Sequence, residues 1–313
     1  MKDAPDSSND TDAARQRLKA IGLMVAAVVL FSGLDTTAKY LVTRDGLTVG
    51  QVVWARFIGQ FVLLLLFVPA FGIMSAKALF TTNRLGLQLV RSVLMVGTTA
   101  FNFLALQYMR LDQTITIVFL APLMVALLAG PLLGEWVGRR RLVAILVGFI
   151  GVLIAVRPGF GVIHPAVLYA FAAMLVYALF MLLTRHMAHF DPPLVTLFYS
   201  MFVGTFAGAP IAYAGWQTPP DAIAWVLLGA LGILGGVGHW LFLHAYRLAP
   251  ASSIAPFIYM QLLTMVAFGY AVFGDLPDLW TLAGATLIVG SGVYLVHRER
   301  SIAREMVDAA PPS

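Results

Sequence analysis

Apolar runs of bilayer-spanning length, about 20 residues, follow one another along almost the whole chain. Ten can be read, over 20–42, 48–71, 87–107, 112–133, 142–157, 165–184, 194–214, 223–245, 251–273 and 279–297, the fifth being the shortest. Such a pattern leaves little freedom of fold. Hydrophobic residues make up 60% of the chain and charged residues 11%, where an ordinary soluble domain carries about 25% charged. A core of its own cannot hide that much apolar surface, so the bilayer has to act as solvent. The expected class is an all-α membrane protein with ten transmembrane helices.

The breaks between runs are short. Asp112 and Ser252 or Ser253 are placed to cap helix starts, and the pairs Pro192-Pro193 and Pro219-Pro220 punctuate connections. No stretch is long enough for an inserted soluble domain, which argues against catalysis outside the membrane. The polar opening, residues 1–16, leads into the first run with no small-residue cleavage site near its end. That is the pattern of a retained first helix rather than a signal peptide.

A net charge of +5 and a pI near 9.6 do not imply nucleic acid, because the basic residues sit mostly in short loops. With the N-terminus taken as cytoplasmic, fifteen Lys and Arg residues fall on the inner side; only Arg44, Arg110 and Arg157 fall on the outer side. This is a positive-inside bias. Ten spans then return the C-terminus to the cytoplasm, leaving 1–19 and 298–313 as cytoplasmic tails. The chain has no cysteine, which excludes disulfides, thiolate nucleophiles and cysteine-held metals.

The chain also repeats itself. The segment from Trp54 to Phe61 returns as Tyr199 to Phe206, and Gly134-Glu135 returns as Gly274-Asp275. Further correspondences keep the same order: Gly151-Val152 with Gly292-Val293, Ala105 with Ala245, and Lys39 with Arg185. The two copies are read as 20–158 and 164–297, with five spans each. An odd number of spans makes the second copy enter the membrane from the opposite side. Two inverted five-helix repeats of this kind can exchange conformations and so alternate access to a site between them.

Several segments, taken in order, resemble the drug/metabolite transporter superfamily, in its ten-span group built from two EamA domains. They are Phe-Ser-Gly-Leu-Asp-Thr-Thr-Ala-Lys-Tyr-Leu (31–41), Trp-Ala-Arg-Phe (54–57) and Phe-Asn-Phe-Leu-Ala-Leu-Gln-Tyr (101–108). Ala-Pro-Leu (121–123), Leu-Gly-Glu (133–135) with Arg139–Arg141, and Gly-Phe-Ile-Gly-Val (148–152) with Arg157-Pro158-Gly159 complete the set. No one of these motifs is specific; their order is. The resemblance covers about residues 20–297. The second half departs from the pattern, with Leu262 in place of the mid-span proline and Asp275 in place of the glutamate. The resemblance implies a multi-pass carrier of small organic molecules in the bacterial cytoplasmic (inner) membrane. The first-span pattern with Asp35 and Lys39 is similar to branches that include S-adenosylmethionine and riboflavin uptake carriers.

Charges within spans are the sharpest candidates, since each costs about 2.5–3.5 kcal/mol at a helix centre on insertion scales. Asp35 and Lys39 stand four apart on one helix face, where they can pair, and Arg56 lies on the second span. Together they can hold a substrate carboxylate or phosphate, or Asp35 can carry a proton. Arg91, near the cytoplasmic start of the third span, is expected to snorkel to headgroups. Glu135 beside Arg139–Arg141 reads as a loop ion pair. His239 and His244 are about 140° apart around the eighth span, so a shared metal is not expected; either is a candidate proton carrier. Asn102, Thr116 and Gln261 are polar groups that must face the bundle or a cavity. Trp54, Tyr177, Tyr199 and Tyr259 are candidates to stack on a planar ligand, with Trp54 and Tyr199 favoured by their equivalence in the repeat. Pro122 is expected to kink the fourth span, and Gly235 and Gly236 to permit bending or close packing of the eighth.

The resulting expectation is a secondary carrier, not an enzyme, with a small-molecule substrate and no cofactor, metal or nucleic-acid partner. It would be a monomer or homodimer in the lipid bilayer. The chain lacks a phosphate-binding Gly-x-x-x-x-Gly-Lys, so coupling to a proton or substrate gradient is expected rather than ATP. Uptake of riboflavin or a similar planar heterocycle is the specific reading; export of amino acids or drugs is the alternative. An intramembrane enzyme lacks a recognisable nucleophile–base constellation here, and a channel lacks a selectivity ring.

Overall fold

The computed structural model describes residues 7–70, 72–133, 139–156, 164–187, 190–249 and 254–308. Gly134-Glu135, Arg157–Gly159 and Ser252-Ser253 lie outside the described residues. The elements are α1 (Ser7–Thr43), α2 (Val49–Ala70), α3 (Ala76–Leu79), α4 (Leu85–Leu106), α5 (Leu111–Val118) and α6 (Ala121–Leu133). They continue with α7 (Arg139–Val156), α8 (Ala166–Met187), α9 (Pro193–Ala214), α10 (Ala222–Leu248), α11 (Met260–Phe268) and α12 (Leu279–Asp308). A 3-10 turn, Ala255–Tyr259, precedes α11 and a π turn, Gly269–Phe273, follows it. No strand occurs among the described residues.

Among the described residues, seven helical segments are long and apolar enough to cross a membrane, and three shorter apolar helices, at Leu142–Ala155, Phe257–Phe273 and Leu279–Tyr294, occupy the remaining expected positions. The fourth span is broken. α5 closes with Phe119 N–H donating to Ile115 O and Leu120 N–H to Ile117 O, and α6 starts at Ala121. Pro122 has no N–H to give, and its ring crowds the carbonyl four residues back, so the helix divides just before it. The outward faces carry large apolar side chains such as Leu66, Phe206, Ile211, Val226 and Leu263, all well exposed. That is the surface of a protein solvated by lipid.

The packing follows the repeat. Counting spans within each half, α1 and α8 are first, α2 and α9 second, α4 and α10 third, α5–α6 and α11 fourth, α7 and α12 fifth. The first span of each half packs on the third of the other, α1 on α10 and α8 on α4. The second of each packs on the third of the other, α2 on α10 and α9 on α4, while α2 meets α9, α5 meets α11 and α7 meets α12. Each of these contacts between the halves has its pseudo-symmetric counterpart or is its own, as two inverted copies sharing one bundle require. The halves interlock rather than stand as separate bodies.

Small residues set the closest approaches. A Cβ on Gly59 would lie 2.7 Å from the Cα of Gly232, and one on Gly151 2.8 Å from the carbonyl oxygen of Gly284. These glycines let the α2–α10 and α7–α12 backbones touch. α10 runs unbroken through Gly235 and Gly236. There the glycines receive the side chains of Gln60 and Leu63 from α2, so they serve close packing in this conformation.

Candidate functional site

Three polar layers are stacked along the bundle. At the end bearing the α1–α2, α4–α5 and α11–α12 connections, Lys39 Nζ donates to the Met109 carbonyl at 3.0 Å and pairs with Asp275 at 3.3 Å. The Phe273 ring lies 4.7 Å from the ammonium. Gly274, at φ 74°, ends the π turn in the left-handed region and brings Asp275 back toward α1. Arg110 and Asp112 form a two-bond pair beside this contact, at 3.1 and 2.7 Å. The hydrogen-bonded Asp112 carboxylate holds the Arg110 guanidinium above its ordinary pKa. The expected Asp35–Lys39 pair is therefore corrected: Lys39 reaches across to the other half instead. A four-residue spacing puts two side chains on one face but does not choose their partners.

The middle layer holds Asp35 and Arg56. Asn102 Nδ2 donates to Asp35 Oδ1 at 3.1 Å, and Arg56 donates through one terminal nitrogen to Thr99 Oγ1 at 2.9 Å. Thr99 and Asn102 are three apart on α4, so one helix face presents both partners. The two charges feel each other's field, yet no ion pair within 4 Å joins them among the described residues. Asp35 is 8% and Arg56 9% exposed. Among the described residues, Arg56 Nε has no hydrogen-bond partner, and neither does either polar atom of the Gln60 amide, one turn further along α2 and 3% exposed. His239 stands across on α10, within the field of Arg56, its Nδ1 at 2.8 Å from the Gly235 carbonyl and its ring 4.9 Å from Phe31. The Phe103 ring lies 6.0 Å from the Arg56 guanidinium.

The third layer lies toward the opposite end. Arg91 is 6% exposed. It donates to Thr184 Oγ1 at 2.8 Å, the Thr196 carbonyl at 3.0 Å and Ser200 Oγ at 2.7 Å, with its plane over the Phe180 ring at 4.5 Å. The expected snorkelling is thus corrected. Arg91 faces inward and ties α4 to α8 and α9, because hydroxyls and a stacking ring meet it there. Nearby, Asp191 in the α8–α9 connection accepts from Thr82 Oγ1, the Asn83 N–H and Gln88 Nε2. Burial works against its charge, but these three bonds outweigh it and hold the carboxyl below its ordinary pKa.

The other candidates are dispersed. Trp54 Nε1 donates to the Thr205 carbonyl at 3.0 Å, and Tyr199 OH to the Phe80 carbonyl at 2.9 Å. The repeat equates these two residues, but their polar groups are engaged at separate places. Thr116 Oγ1 donates to the Asp112 carbonyl of its own helix at 2.6 Å. Tyr177 stacks on Phe180 at 6.1 Å. Tyr259 meets the Phe119 ring edge-on at 5.0 Å and packs on Gly292. Gln261 lies on α11, where its carbonyl takes the Thr264 hydroxyl. His244 lies against the exposed Trp240, ring centroids 4.1 Å apart. Pro122 sits at the α5–α6 break. A cleft of about 390 Å³ between α7 and α12, lined by residues such as Val147 and Tyr294, holds none of the candidates. Sequence reasoning missed Gln60 and Thr99 altogether; a glutamine inside a span is the one signal that pointed there.

Comparison with known proteins follows the same outline. Residues 18–157 and 164–297 each match the EamA-like transporter family. An S-adenosylmethionine uptake transporter of Rickettsia conorii is 29% identical, over 92% of this chain and 96% of the relative. A riboflavin transporter of Vibrio cholerae is 28% identical, over 90% and 96%. The pseudopaline exporter CntI of Pseudomonas aeruginosa is 25% identical over 68% and 75%. A solved chain described as "Crystal structure of protein" superposes with a TM-score of 0.62 at 17% identity, covering 90% of this chain and 98% of its own. That last likeness shows the fold.

Proposed function

Because the chain belongs to the EamA-like transporter family, we propose that it is a secondary uptake carrier for a planar heterocyclic metabolite in the bacterial inner membrane. Both termini face the cytoplasm in this reading, as the basic residues argue. Substrate enters between the interlocked halves, contacts the Asp35–Arg56 layer, and leaves after the halves rock. Riboflavin and S-adenosylmethionine are the two candidate substrates. The S-adenosylmethionine uptake transporter and the riboflavin transporter both align over nearly the whole chain, and both molecules carry a flat ring system. The observation that carries the reading is the middle layer itself. Two buried charges, unpaired with each other and beside an unsatisfied amide, are expensive in a membrane protein unless a ligand uses them.

The test is uptake of labelled riboflavin and labelled S-adenosylmethionine into proteoliposomes with an imposed pH gradient. Saturable uptake of either, stimulated by the gradient, supports a proton-coupled carrier, with Asp35 or His239 as the proton site. Uptake indifferent to the gradient leaves a carrier without proton coupling. Net export from loaded vesicles with no uptake would replace the reading with that of an exporter.

A further inference from the structure

The two buried arginines of the bundle are satisfied very differently. Arg91 spends its donors on three protein oxygens and lays its plane on an aromatic ring. Among the described residues, Arg56 makes one hydrogen bond, to Thr99, and its Nε has none. A guanidinium offers five donors in a fixed fork that matches a carboxylate. Gln60, one turn away, adds an amide whose donor and acceptor are both unspent. Asp35 is engaged by Asn102 through Oδ1 alone. The layer therefore has unspent donors around one positive charge and unspent acceptor capacity around one negative charge, the two held apart.

From this we propose, resting on the carrier reading above, that the Asp35–Arg56 layer is a subsite for an α-amino-acid group attached to a planar ring. Arg56, helped by the Gln60 amide, takes the carboxylate, and Asp35 takes the ammonium. A bare phosphate or carboxylate would meet the like charge of Asp35. A neutral polyol would leave both ions without counter-charge. A zwitterion neutralises both and restores the pairing that the protein does not supply. Phe31, one turn from Asp35 and edge-on to His239, stands where the ring system would begin.

Thermal unfolding of the purified carrier in detergent tests this directly. The probes are S-adenosylhomocysteine and 5′-methylthioadenosine, which share an adenosyl thioether and differ by the amino-acid group, with AMP and riboflavin alongside. S-adenosylhomocysteine should stabilise at concentrations about ten- to a hundredfold below those needed for 5′-methylthioadenosine, the worth of one or two charge-assisted hydrogen bonds. Arg56→Lys and Asp35→Asn should each narrow that gap. The ligand comparison on the unaltered protein stands even where a variant fails to fold. Equal effects of the two adenosyl probes, stabilisation by AMP or riboflavin alone, or stabilisation by none of the four would overturn the subsite. Riboflavin uptake by the same preparation would then leave the carrier reading standing, whereas absence of uptake for both labelled metabolites would remove the carrier reading itself.

Discussion

Asp275→Asn should damage the protein more than Lys39→Met, although both break one ion pair. The Lys39 side chain is 10% exposed and that of Asp275 28%. Removing the carboxylate strands a buried ammonium, which keeps the Met109 carbonyl at 3.0 Å and the Phe273 ring at 4.7 Å. Stripping the partner from a fully buried ion costs about 3–5 kcal/mol, while an exposed pair is worth about 0.2–1 kcal/mol. With a carbonyl and a ring retained, a loss of about 2 kcal/mol is expected for Asp275→Asn. Lys39→Met keeps the packing of the stem. It leaves a carboxylate that water reaches and that lies in the field of Arg110, so about 1 kcal/mol or less is expected. The double variant should lose less than the sum of the two. Thermal unfolding in detergent reads this as falls of about 4 °C and about 2 °C or less. Lys39→Met being the worse variant, or strict additivity, would refute the reasoning.

Other consequences are equally direct. A Cβ at Gly232 would lie 2.5 Å from the Gly59 Cα, whereas one at Gly229 meets nothing within 4 Å; Gly232→Ala should cost about 1–3 kcal/mol by forcing α2 from α10, and Gly229→Ala, run beside it, should not lower the unfolding temperature. Arg91→Lys should lose about 2 kcal/mol, since a compact ammonium lacks the wide planar fork that reaches Thr184, Thr196 and Ser200 at once and the flat face that stacks on Phe180; a neutral outcome would return Arg91 to the headgroups. The Asp191 carboxyl has a lowered pKa in the folded protein, so its stabilisation is present above about pH 3.9, the ordinary Asp value, and is lost as pH falls through the lower folded value. Asp191→Asn should therefore flatten the acid limb of the stability profile, and an unchanged limb would assign the sensitivity elsewhere. A fluorescent protein fused at the C-terminus should glow, whereas activity of a periplasm-only reporter there would reverse the orientation.

What the sequence made legible was what depends on composition and order. Run length and charge placed the spans, and a shared order of motifs gave the two copies, which the reciprocal packing of α1 on α10 and α8 on α4 matches. What it hid depends on rotation about each helix axis and on distant partners. Arg91 sits at a depth that suits snorkelling, but depth does not say which way a side chain faces. Asp275 is 236 residues from Lys39, and no local spacing announces that contact. Trp54 and Tyr199 are equivalent in the repeat, yet Thr205 and Phe80 offered each a different carbonyl. Gln60 went unremarked because an uncharged amide among apolar neighbours looks like packing until its partners are sought.

The central claim is that the layer around Asp35 and Arg56 binds what the carrier moves. Uptake of the two labelled metabolites into proteoliposomes, compared between the unaltered protein and Arg56→Ala at equal incorporation, tests it most directly. The account predicts saturable uptake of at least one metabolite by the unaltered protein and its loss in the variant. Undiminished uptake by Arg56→Ala would contradict it.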